Sequence, residues 1–221
     1  MGKMLVLIHT LPLVLSVFDR LGAELLPEVT RMHLLDEPLL ERVKQRGHLA
    51  AEDSERLRQH AALAEEIGAG AVLVTCSTIS PSVADMRSMV SIPVLTIDEA
   101  MIEQAVSAGP NIGVVATAAT TLEPTRQMLL TRAQEAGKDI RVKLVLVEEA
   151  LPALVQGDAA THDRLVKESV LAIMPQVEVV VLAQASMARV LDTIAEGGRT
   201  VPVLSSPHLA LGRVKTVLGL K

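Results

Sequence analysis

The chain of 221 residues contains a single aromatic side chain, Phe18, and neither Trp nor Tyr. Base-stacking platforms are therefore missing, and a net charge of -5 denies the basic groove that nucleic-acid binding usually combines with them. Nucleic acid is set aside as a partner. Cysteine is as scarce: Cys76 is the only one, which excludes an intramolecular disulfide and a multi-cysteine zinc site, and a reducing, cytoplasmic compartment fits best. Like-charge blocks and low-complexity tracts are also lacking. With 49% hydrophobic and 21% charged residues, the chain reads as globular throughout, not as disordered or fibrous. No apolar run is long enough to span a bilayer. Residues 4–18, preceded by Lys3, resemble a signal-peptide core, but His9, Thr10 and Pro12 interrupt the run and no small-x-small cleavage site follows. A buried first strand running into a loop accounts for it, and no membrane partner is expected.

What is present is a regular alternation. Apolar runs of strand length fall at 4–8, 32–35, 71–75, 94–97, 112–116, 142–147, 179–182 and 201–204, with amphipathic helix-length stretches between most of them. Residues 53–67 and 122–136 are the clearest helices, the second with Thr121 as N-cap and Gly137 as stop. Such alternation predicts parallel sheets flanked by helices.

The alternation also repeats. Ala71-Val-Leu-Val-Thr-Cys76-Ser-Thr78, a helix, then Ser91-Ile-Pro-Val-Leu-Thr96 reads like Val179-Val-Val-Leu-Ala-Gln184-Ala-Ser186, a helix, then Thr200-Val-Pro-Val-Leu-Ser205. The same offset carries residues 4–10 onto 112–118. An internal repeat predicts two similar α/β lobes, related by a pseudo-twofold axis, with the active site between them. The first comprises residues 1–98 plus 207–221, the last helix returning to it, and the second residues 99–206.

In open parallel sheets ligands sit beyond the carboxyl ends of the strands. The residues to read there are His9 and Thr10, Cys76 to Thr78, Thr117 to Thr121, Gln184 to Ser186, and Ser205 to His208. Cys76 is followed by Ser80 as an N-cap and Pro81 at a first helical position, so the thiol is expected to face a helix N-terminus and to have a lowered pKa. A core cysteine is the plain alternative, but its neighbours Thr75, Ser77 and Thr78 are polar. With a negative net charge, an anionic substrate has to be held by hydroxyls and backbone N–H groups. His9 and His208 are retained because both follow strands, where a neutral histidine serves as an acid or simply packs. Asp36 and Glu37, after the second strand, are read as solvated loop charges or as groups that bind an ammonium or orient a base. The six histidines show no metal-ligand spacing.

Two motifs carry a family resemblance. Val72-Leu-Val-Thr-Cys76-Ser-Thr78 followed by Ile92-Pro-Val-Leu95, and Ile112-Gly-Val-Val-Ala-Thr117-Ala-Ala-Thr120-Thr121, are similar to segments of the aspartate/glutamate/hydantoin racemase superfamily. The resemblance implies a cofactor-independent isomerase of amino-acid metabolism, without metal. In it a thiolate removes the proton beside a carboxylate and a second thiol on the opposite face returns one. It implies that Ser77 and Thr78, with Thr117 and Thr121 or Thr120, contact the carboxylate of a small polar acid. It also implies that the subunits associate as dimers or larger homo-oligomers. Where the family places its second cysteine, this chain has Leu182-Ala-Gln184-Ala-Ser186. Gln184, with Ala185 and Ser186 beside it, then binds substrate or keeps a structural role. Three readings stay open: a racemase or isomerase acting through Cys76, a one-thiol lyase of the decarboxylase type, and a non-catalytic carboxylate-binding protein.

Overall fold

The computed structural model describes residues 3–194 and 198–220. The chain divides into two compact units, Met1–Glu99 with Pro207–Lys221, and Ala100–Ser206. Each is built on a four-stranded, wholly parallel sheet.

In the first unit β1 (Met4–His9), β2 (Thr30–Leu35), β3 (Ala71–Val74) and β4 (Val94–Thr96) lie in the order β2-β1-β3-β4. The central strands are apolar on both faces and almost wholly buried, as helices on both sides of a parallel sheet require. Val6, Ile8, Val72 and Val74 form one face and pack with Leu39 and Val43 of α2 (Glu37–Arg46), Leu57 and Ala61 of α3 (Ala51–Glu66), and Val83 and Met86 of α4 (Val83–Arg87). Leu5, Leu7 and Leu73 alternate onto the opposite face. Phe18 and Leu21 of α1 (Leu15–Leu25) are buried too. Arg31 closes α1 by donating from Nη1 to the carbonyls of Gly22, Leu26 and Val29 at 3.2, 3.1 and 3.0 Å. Its stem crosses Gly22 so closely that a Cβ there would stand 2.4 Å from Arg31 Cδ.

The second unit repeats the plan. Strands β5 (Asn111–Ala116), β6 (Arg141–Leu146), β7 (Val179–Leu182) and β8 (Val203–Ser205) follow the order β6-β5-β7-β8. Helices α5 (Glu99–Ala108), α6 (Ala119–Glu135), α7 (Ala150–Val155) and α8 (Ala159–Ile173) belong with it, and α9 (Ser206–Val217) returns to the first unit. The structure therefore has the two similar parallel-sheet lobes that the repeat implied.

Details of the sequence reading change. Helix α6 starts at Ala119 with Ala118 as N-cap, so Thr121 lies in its first turn, while Gly137 does end it in the left-handed conformation at φ 64°. The segment after Cys76 is a 3-10 turn over Ser80–Ser82, then the five residues of α4, with Ile79 at the cap position instead of Ser80. The segment expected as a helix after Gln184 is a 3-10 helix over Ala185–Thr193, and residues 195–197 lie outside the described residues. No helix among the described residues is long and apolar enough to cross a membrane.

Strand pairing also corrects the repeat by one residue. Met4 opens β1 against Thr30 as Asn111 opens β5 against Arg141, so Thr10 corresponds to Thr117, not to Ala118. Position 76 still corresponds to 184, because Ala71–Val74 and Val179–Leu182 occupy equivalent places in their sheets.

Candidate active site

At the carboxyl end of the first sheet, Ile8 pairs with Val74, which brings His9 and Thr10 beside Thr75 and Cys76. Cys76 keeps partial exposure, yet the surrounding protein desolvates its sulfur, and burial pushes the thiol above its ordinary value. Opposing donors converge on the sulfur: the hydroxyl of Thr10, the backbone N–H groups of Thr78 and Ile79, and the hydroxyl of Thr78. The Thr10 hydroxyl is buried beside the sulfur without completing a hydrogen bond to any partner. The expected lowering of the thiol pKa is thus reversed, since α4 is a single short turn and burial outweighs the donors. The donors can hold a thiolate once one forms, while the resting group is a thiol.

Ser77 is buried and donates to Oδ1 of Asp98 at 2.9 Å, and Ser80 lies 3.1 Å from Oδ2 of the same carboxyl. Asp98 is fully buried at the end of β4. Burial raises its pKa to about 6 against the hydrogen bonds of Ser77 and Ser80. The sequence reading passed over this residue, although it directly follows an apolar run, the rule that singled out the other rim residues.

His9 is fully buried, with Nδ1 2.7 Å from Thr75 Oγ1 and Nε2 2.8 Å from Nδ1 of His33. Both ring nitrogens are engaged inside the lobe. Burial and the charge of His33 lower its pKa to about 4, against the pull of Asp19, so the ring is neutral near pH 7. His208 is exposed in the first turn of α9. Asp36 proves to be a buried structural group: Oδ1 caps α2 through Leu39 N–H, and the carboxyl also takes Arg56 and, at 2.7 Å, His60. Against the cost of burial, those partners hold it below the usual carboxylate range.

At the carboxyl end of the second sheet, Gln184 Oε1 accepts the backbone N–H of Thr117 at 2.5 Å and its hydroxyl at 3.0 Å. Two donors on one oxygen fix the amide orientation, so the Gln184 NH2 points away from Thr117. Thr117, Thr121, Ala185 and Ser186 are buried, and Thr120 is half-buried. The Thr117 donors, expected to meet a carboxylate, are engaged by Gln184.

The fold of two like parallel-sheet lobes has counterparts among known proteins. The chain belongs to the Asp/Glu/Hydantoin racemase family, whose pattern it matches over residues 10–214. Its fold resembles that of glutamate racemase RacE1 from Bacillus anthracis (TM-score 0.73, 17% identity, covering 98% of this chain and 82% of that one). It also resembles the aspartate racemase of Picrophilus torridus (TM-score 0.70, 13% identity, 100% and 96% covered) and the allantoin racemase of Klebsiella pneumoniae (TM-score 0.70, 16% identity, 99% and 89% covered). No curated protein matches at a significant level.

Proposed function

We propose that this racemase-type protein is a cofactor-independent enzyme in which Cys76 exchanges the acidic proton beside the carboxylate of a small polar acid. The convergence of Thr10, Thr78 and Ile79 donors on the sulfur supports this reading, because they offset the charge that appears when the thiol becomes a base. Ser77, Thr78, Thr120, Thr121, Ala185 and Ser186 are assigned to substrate recognition. Gln184 is assigned a neutral role: its NH2 donates a hydrogen bond to the substrate, and it delivers no proton. Exchange should therefore outrun inversion when a substrate is incubated in deuterated water, since a single base returns the proton to the face it left. Gln184→Cys should raise inversion relative to exchange by supplying an acid on the other face. Wild-type inversion as fast as exchange would defeat the assignment of Gln184.

One observation favours a second reading. A thiol held protonated at rest is suited to giving a proton. In a one-thiol lyase the substrate loses carbon dioxide, the electron pair stays on carbon, and Cys76 protonates that carbon. Carbon dioxide release without substrate exchange would select this reaction. Binding without either, unchanged in Cys76→Ala, would leave a carboxylate-binding protein.

A further inference from the structure

Behind the strand tips of the first lobe lies a connected set of polar groups. His33 on β2 reaches His9, and Asp19 on α1 reaches the far side of His33. The imidazole planes of His9 and His33 are 13° apart with centroids at 5.0 Å, close to coplanar, as an in-plane N–H···N bond requires. The far nitrogen of His33, Nε2, stands 3.0 Å from Oδ1 of Asp19, an electrostatic contact not aligned as a full hydrogen bond, and the Asp19 side chain is 64% exposed. Phe18, the single aromatic residue, packs on the remaining side of His9 with centroids at 5.6 Å.

For a neutral pair two orderings are open, and the contact of His33 Nε2 with Asp19 favours one of them. His33 turns an Nε2–H toward the Asp19 carboxylate, so its Nδ1 is an acceptor and His9 donates from Nε2. In that ordering His9 Nδ1 accepts the single proton of the Thr75 hydroxyl, and in the other the hydroxyl donates to the Ile8 carbonyl at 3.0 Å and accepts from His9. The line ends at the strand tips, because Thr10 follows His9 and Cys76 follows Thr75.

The second lobe shows that such a sheet does not need this line. Its equivalents of His9, His33 and Thr75 are Ala116, Leu144 and Ala183, while the backbone bond survives: Ala183 N–H reaches the Val115 carbonyl at 3.0 Å as Thr75 N–H reaches that of Ile8 at 3.0 Å. Burying two imidazoles where alanine and leucine serve the fold calls for another reason.

We propose that Thr75, His9, His33 and Asp19 form a positioning line that holds the Thr10 hydroxyl beside the Cys76 sulfur, His33 and Asp19 acting through His9 without touching substrate. The proposal rests on Cys76 being the reactive group, but it can fail separately. The groups facing His9 are His33, Asp19 and the Thr75 hydroxyl, and it stays neutral near pH 7, so its effect on the thiol is one of placement and not of charge.

The test reads Cys76 alkylation by iodoacetamide against pH, with thermal melting alongside. His33→Leu installs the residue that the second lobe carries at that position. It should move the alkylation midpoint upward and slow the reaction about tenfold at a fixed pH below it, equivalent to about one pKa unit. Thr75→Val, which keeps the branched shape and removes only the hydroxyl, should do the same should His33→Leu fold poorly. His33→Gln, able to both accept and donate, should recover part of the rate, and Asp19→Asn should change it less than His33→Leu does. Melting should stay near wild type in Thr75→Val and Asp19→Asn. A folded His33→Leu or Thr75→Val with an unmoved midpoint overturns the proposal, even where an acid substrate is turned over. A moved midpoint supports it, even where no substrate is found and the enzymatic reading fails.

Discussion

The two lobes place the same pair of strand tips together and equip them differently. In the first, Thr10 meets Cys76 and its hydroxyl faces a sulfur. In the second, Thr117 meets Gln184 and gives both N–H and O–H to one amide oxygen. Around the first pair stand polar groups, His9 and Thr75, where the second has Ala116 and Ala183. The fold therefore supplies a threonine beside a strand end twice, and the thiol and the imidazole line belong to one lobe alone. Equivalent strand ends thus carry unequal groups, a thiol in one lobe and a neutral amide fixed by its own neighbour in the other.

The strongest way to break the comparison is to remove the unequal group. Cys76→Ala should lower substrate proton exchange by at least about a thousandfold, in the range expected for loss of a nucleophile or base. Gln184→Ala should cost about tenfold in kcat/KM, the loss of one hydrogen bond. Isotope exchange followed by mass spectrometry would measure both. Comparable losses at the two positions would show that the lobes act as equals after all.

A second difference lies at the ends of β4 and β8. The first lobe has the buried Asp98 two residues beyond β4, whereas the second has Pro207 at the equivalent place beyond β8. Asp98 is held at a pKa of about 6 against an ordinary 3.8. A carboxyl whose folded pKa is raised stabilises the fold fully below its unfolded pKa, and that contribution is lost as pH rises through the folded value. Across that window the difference comes to roughly 3 kcal/mol. Denaturant unfolding of Asp98→Asn and wild type from pH 4 to 7.5 should show the wild type losing stability relative to the mutant as pH rises, with the change complete above about pH 7. The difference between the two proteins is the quantity to read, because Asp36, held below its usual range, works in the opposite sense as pH falls. A difference that is flat with pH would mean that Asp98 is ionised throughout.

Much of this was legible in the sequence. Apolar periodicity located the eight strands within one or two residues, since buried parallel strands are continuous runs that little else imitates. The repeat gave two lobes, and the rim rule gave Cys76, Thr117 and Gln184. What escaped has a physical pattern. The one-residue slip between Thr10 and Ala118 is set by pairing across the sheet, which similarity of apolar letters does not resolve. Asp98 followed a strand but sat where one lobe was expected to end. His33 and Asp19 were out of reach because His33 meets His9 across two strands and Asp19 meets His33 from a helix, and no spacing along the chain announces such contacts. The thiol pKa was misjudged for a related reason: Ser80 and Pro81 are helix-start letters, but the helix they open is too short to outweigh burial.

The smallest expected effect sharpens the comparison most, since one substitution can be made at both equivalent threonines. Thr117→Val removes a hydroxyl that bonds to Gln184 at a buried site, while the backbone N–H still holds the same oxygen. It should cost about 1 kcal/mol of stability, the net value of one buried hydrogen bond. Alkylation of Cys76 should not change. Thr10→Val removes a buried hydroxyl that completes no hydrogen bond in the resting state, so stability should change by less than about 1 kcal/mol. The thiolate, however, loses a donor that counts only when it is charged, and alkylation should slow. The same methyl-for-hydroxyl change should thus register in melting but not in reactivity on one lobe, and in reactivity but hardly in melting on the other. If both variants instead slow alkylation equally, the thiol is not governed by its own lobe, and the separation of roles drawn from the two strand ends would have to be abandoned.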